Sequence, residues 1–151
     1  MIDPAFFSVA SLMVSTKTLQ RNSSGTSQHA SSVVLEEACK LIGGDLGAEV
    51  NAETLENAIR NGKPSVLVGG QRVQLASYLA NASRTVGQVI ANTIQKALRT
   101  ERQTVDLVVL VGGGAEFFRE AIQETFPRLS VVTPSEPVFS NARGFWMMGA
   151  A

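Results

Sequence analysis

A chain of 151 residues is long enough for one domain, or two small lobes, around a proper core. Its 44% hydrophobic and 17% charged residues exclude a disordered tail or linker. Thirteen basic residues balance thirteen acidic ones and no basic cluster stands out, so neither direct nucleic-acid binding nor attachment to an acidic membrane is expected.

No apolar run approaches the roughly eighteen residues of a membrane span, and the N-terminus lacks the basic segment and long apolar stretch of a signal peptide. The single cysteine, Cys39, permits no internal disulfide. These features point to a cytoplasmic protein.

Ile2, Asp3 and Pro4 read as the end of a strand whose beginning is missing, since proline cannot donate to a ladder. Through residue 21, the residues Phe6, Phe7, Val9, Leu12, Val14 and Leu19 predict two strands joined by a turn near Lys17. Residues 22–32 (NSSGTSQHASS) read as a polar loop with N-caps at Thr26 or Ser27. The helix that follows carries Val33, Val34, Leu35, Ala38, Leu41 and Ile42, and Gly43-Gly44 is expected to close it. His29, at its first turn, reads as a solvated or capping residue, and Cys39 as a small core residue.

A second helix is predicted over residues 51–61, with Leu55, Ala58 and Ile59 on one face, ending at Gly62-Lys63-Pro64. Residues 65–68 and 71–75 flank Gly69-Gly70 and read as a hairpin. Residues 44–75 are more polar and turn-rich than their flanks. They read as a small lobe inserted into a core made by residues 1–43 and 76–151. The long helix 76–99 carries Leu79, Val86, Val89, Ile90, Ile94 and Leu98. Gly87 in its middle costs about 1 kcal/mol against alanine and is expected to allow close packing on the sheet.

Residues 105–111 (VDLVVLV) form an almost unbroken apolar run, the pattern of a parallel strand buried on both faces. Gly112, Gly113 and Gly114 follow, and then residues 115–126 show helical spacing in Phe118, Ile122 and Phe126. Strand, glycine turn and helix in that order aim free backbone N–H groups, and the positive end of the helix dipole, at one spot above the strand. A phosphate or nucleotide sits well there, although a tight turn in any α/β protein reads the same way. The turn is neither the GxGxxG fingerprint nor a Walker A loop. A side chain at Gly113 is expected to disturb folding or a ligand contact. Residues 129–133 then complete a right-handed βαβ unit. The tail, residues 138–151, reads as a short helix that packs Phe145, Trp146, Met147 and Met148 into the core.

Three segments in order, IDPAFFS (2–8), VLVGGGAEFF (109–118) and PVFSNARGF (137–145), resemble the second half of the actin-like ATPases. The resemblance is greatest to the bacterial plasmid-segregation group of the ParM/StbA type, and within it to the group called PRTRC system protein D. It covers essentially the whole chain. It implies a ribonuclease-H-like α/β fold: a mixed sheet of about five strands in the order 3-2-1-4-5, helices on both faces, and the small helix-plus-hairpin lobe.

The resemblance also implies ATP and Mg²⁺ as ligands. Asp3 would hold the metal or its bound water, as a hard carboxylate suits Mg²⁺. Ser8 would bond a phosphate, with Gly25 and Thr26 in the loop that faces the cleft. Arg60 and Lys63 would reach the ribose or base from the small lobe. Gly112, Gly113 and Gly114 would admit the nucleotide close to the backbone, the helix from Ala115 would supply its dipole, and Phe117 would cover the adenine. Two positions depart from the pattern: the glycine of the second phosphate loop is Ala5, and an acidic residue found after the Ser/Thr position is Ala10.

The other half of such an ATPase is not among these residues, so the chain is expected to be a truncated C-terminal half that does not hydrolyse ATP alone. Dimerisation through residues 1–14 is expected to make good the shortened first strand. Two other readings remain open. One is a stand-alone interaction module that kept the fold and lost nucleotide chemistry. The other is an unrelated phosphate-binding α/β domain that uses only the glycine turn.

Overall fold

The computed structural model describes residues 1–4, 9–15, 18–27, 31–100, 102 and 104–149, with the backbone alone for residues 3, 4, 9–15, 18–27, 141 and 148. The chain begins with three antiparallel strands, β1 (Ile2–Pro4), β2 (Val9–Ser15) and β3 (Thr18–Ser27). Helices α1 (Ser31–Leu46) and α2 (Ala52–Arg60) lead into the hairpin β4 (Ser65–Val68) and β5 (Gln71–Gln74). The long α3 (Leu75–Thr100) returns the chain to β6 (Leu107–Val109), α4 (Ala115–Thr125) and β7 (Ser130–Val132). A 3-10 turn (Pro137–Phe139) and α5 (Ser140–Gly149) end it.

β6 and β7 are parallel and joined through α4, as a βαβ unit requires. Ile2 makes a parallel bridge to Leu110, and the Val111 N–H donates to the Ile2 carbonyl at 2.9 Å. The Leu110 N–H donates in turn to the Val132 carbonyl at 2.9 Å. Laterally the strands therefore run β3-β2-β1-β6-β7. They do so as an antiparallel ladder and a parallel ladder held by that bridge, not as one continuous five-stranded sheet. Ile2 is paired on both sides within the chain, to Ser11 and to Leu110, and its side chain is buried.

The core is one apolar cluster. α3 packs against both α1 and α4, and its Val86, Ile90 and Ala91 meet Val34, Ala38 and Ile42 of α1 and Phe118 and Ile122 of α4 in that cluster. Leu55 and Ala58 of α2, with Val66, Val68 and Val73 of the hairpin, join it from residues 52–74. Asn51 caps α2, its side chain accepting from the Thr54 N–H at 2.8 Å. Gly87 lies against α4 and not against the sheet: a Cβ there would stand 2.6 Å from the Cβ of Ala121. Arg84, one turn earlier on α3, pairs with Glu120 of α4.

Four further expectations are corrected. α1 does not close at Gly43-Gly44. It runs to Leu46 and stops at Gly47, whose φ of 62° suits glycine and whose N–H donates to the Gly43 carbonyl at 2.8 Å. Glycine inside a helix costs only about 1 kcal/mol per residue, and a 2.9 Å hydrogen bond from Tyr78 of α3 to Asp45 holds the added turn. The polar residues 22–27 are not loop but the second half of β3: Gly25, Thr26 and Ser27 pair with β2 through the backbone, for which side-chain polarity is irrelevant, and residues 22–24 lie where the register shifts. The 105–111 run yields a three-residue strand, and Leu107 is 48% exposed, because β7 offers partners only from Ser130 onward.

The tail is the fourth. α5 does not pack into the core: Phe145 is 74% exposed, Trp146 71% and Met147 63%. It follows the 3-10 turn and packs against it. His29 and the turn at Lys17 lie outside the described residues.

The Tyr78–Asp45 contact has a measurable signature. Above all the hydrogen bond to the Asp45 carboxylate, and then burial and the carboxylate charge, hold the Tyr78 hydroxyl above its ordinary range near 10. A raised tyrosine pKa adds stability that is fully present below the unfolded value and is lost as pH rises through the folded one. Tyr78 is the only tyrosine, so tyrosinate absorbance reads it directly. We expect its midpoint in the native protein to lie above that of the urea-unfolded chain, and Asp45→Ala to bring the two together. Equal midpoints in the unmodified protein would contradict the assignment.

Candidate functional site at the glycine turn

The parallel strand β6 runs out at Leu110-Val111 and the chain must turn before α4 can pack back on the sheet. Gly112 makes that turn with φ 85°, a conformation that L side chains rarely adopt. Its N–H donates to the carbonyl of Pro137 at 2.7 Å and its carbonyl accepts from the Ala115 N–H at 3.3 Å. The Gly114 carbonyl accepts from the Phe117 N–H at 3.1 Å. Gly114 is the N-cap of α4 and provides no side-chain cap. The N–H groups of Gly113 and Gly114 therefore make no hydrogen bond with any described residue. Gly113 is exposed, and a Cβ added there meets nothing within 4 Å.

The bridge between Ile2 and Leu110 sets β1 beside this turn. Both strands point the same way, so Asp3, one residue past Ile2, lies level with Val111 and just short of Gly112. Across the antiparallel ladder Asp3 is in register with Ala10, and Ala10 with Thr26. Ile2 pairs with Ser11, and Ser11 with Gly25. The backbones of Asp3, Gly25, Thr26 and Gly112–114 thus gather at one end of the strands, outside the carboxyl ends of β1 and β6. Ligands of open α/β sheets bind at such an end.

Other expected residues are placed differently. Ser8 lies outside the described residues, as does Ala5. Arg60 is exposed and paired with Glu56 on its own helix, and Lys63 is exposed in the turn after α2. No hydrogen bond or ion pair among the described residues joins either to the glycine turn. Ala115 is buried at the start of α4, and Phe117 is half-buried against the apolar cluster.

Four features went unread. The Pro137 carbonyl fastens Gly112 and has no sequence signature, since every residue carries a carbonyl. Arg119 donates to Thr133 at 2.9 Å just past β7, and Arg143 is paired with Glu136 beside the 3-10 turn. Glu116 stands exposed in the first turn of α4. Its charge favours a helix N-terminus and disfavours a second anion there.

The backbone angle separates two glycines. Gly112→Val should lower stability by about 1–2 kcal/mol or more, the cost of a left-handed residue. Gly113→Val should stay within about 0.5 kcal/mol. Urea unfolding of both variants checks this, and an equal loss for both would contradict the assignment of the turn to Gly112.

The fold, with this turn at the strand ends, is that of the actin homologues. The chain belongs to the family described as archaeal actin homologue MreB-like, C-terminal, which matches residues 7–124. No curated protein matches the sequence.

Among solved structures the chain is similar to an archaeal actin homologue, Ta0583, with a TM-score of 0.83 and 18% identity, covering 99% of this chain and 46% of that one. It is similar to ParM of Clostridium botulinum, solved as a 15-stranded filament, with a TM-score of 0.76 and 18% identity over 99% of this chain and 44% of that one. It is also similar to ParM of Bacillus thuringiensis with ATP, with a TM-score of 0.67 and 14% identity over 99% and 45%. At such identities the likeness shows an actin-like α/β fold. The chain spans less than half the length of these solved chains.

Proposed function

We propose that this chain is the C-terminal, nucleotide-binding half of an actin-like ATPase of the ParM type that serves plasmid segregation, and that it does not hydrolyse ATP by itself. The observation that carries the reading is the gathering of the uncapped N-terminus of α4 and the glycine turn beside the end of β1. Bacillus thuringiensis ParM, of like fold, is seen with ATP, ADP and AMPPNP, and Clostridium botulinum ParM as a filament. Self-association is therefore part of the proposal.

The residues present fit a nucleotide in one orientation. The open N–H of Gly113 and the carboxylate of Glu116 offer a donor and an acceptor, which suit the hydroxyls and base of a nucleoside better than its phosphates. The phosphates would then lie toward Asp3 at the end of β1. Among the described residues no group of three or more His, Cys, Asp or Glu gathers to hold a metal. Mg²⁺ is commonly bound by one or two carboxylates together with substrate phosphates, and Asp3 is the carboxylate at this end of the strands. When bound, Mg²⁺ would neutralise charge on the phosphates, with Asp3 holding it.

One wall of a two-walled site binds weakly. Losing half the contacts forfeits about 4 kcal/mol, nearly a thousandfold in affinity. Calorimetric titration with ATP and Mg²⁺ should give a dissociation constant in the high micromolar range, weakened further in Asp3→Ala, with no detectable turnover. Sub-micromolar binding, or hydrolysis that depends on Asp3, would overturn the half-site reading. Binding that ignores Asp3→Ala would favour a phosphate site built on the turn alone, and no binding at all an interaction module.

A further inference from the structure

We draw no further inference here: the strongest candidate, the protruding α5 with its exposed Phe145, Trp146 and Met147, is an unpartnered apolar surface, and nothing in the structure shows what covers it.

Discussion

Phe118→Ala should cost about 3–5 kcal/mol of folding stability, read as a fall in the urea midpoint with the slope unchanged. Phe118 is 1% exposed and sits on the inner face of α4 with Ala115, Ala121 and Ile122. Its ring lies along α3, so that a Cβ on Gly87 would reach the ring at 3.4 Å. Replacing the ring by a methyl group removes apolar burial and leaves a cavity that two packed helices cannot close. The loss is large beside the roughly 5–15 kcal/mol of net stability of an ordinary domain. Phe145→Ala, on exposed α5, should change stability by no more than about 0.5 kcal/mol. If Phe118→Ala lost less than about 1.5 kcal/mol, α4 would not be packed as described.

Gly87→Val should be the next most damaging change, at about 3 kcal/mol, the top of the usual range for overpacking. Gly87 lets α3 and α4 approach until a Cβ would stand 2.6 Å from the Cβ of Ala121, closer than two such carbons come. Gly87→Ala is the instructive case. On an open helix face it would gain about 1 kcal/mol in helix propensity. Here overpacking of about 1–3 kcal/mol reverses the sign. Gly44→Ala, in α1 with nothing within 4 Å of the new methyl, should show the gain undisturbed. Ala121→Gly should restore part of what Gly87→Ala loses, and this coupling in a double-mutant cycle ties the effect to the helix contact. Additive losses would place the strain elsewhere.

Local chemistry could be read where it decides the structure. The change from apolar run to glycines to fourfold spacing over residues 105–126 located β6, the turn and α4, because a buried strand and an amphipathic helix differ in period. The shared face of Leu55 and Ala58 marked α2, and the Gly69-Gly70 turn marked the β4–β5 hairpin. Misreadings arose where distant residues decide. The end of α1 depends on Tyr78, thirty-three positions away, holding Asp45. The second half of β3 depends on a backbone partner, and its side chains NSSGTS show no strand pattern. α5 carries phenylalanine, tryptophan and methionine as a core helix does, and only the path taken after Pro137 shows that no core lies beside it. The candidate site was half readable. Its glycines announce themselves, but that Asp3 comes level with them rests on one bridge between Ile2 and Leu110.

The protruding α5 also divides the spectroscopy of this molecule between two events. The chain holds one tryptophan and one cysteine. Trp146 stands exposed on α5, so its fluorescence reports little on loosening of the α1–α3–α4 packing. It responds instead when something settles on α5. Cys39 is the complement: it is buried on α1, and its thiol is pushed up by burial and, secondarily, by the nearby Glu36 charge. A thiol reagent must wait for the core to open before it reacts. Quenching of the indole and labelling of the thiol, followed in one sample, therefore report on the surface of α5 and on opening of the core separately, without an added dye or an engineered residue.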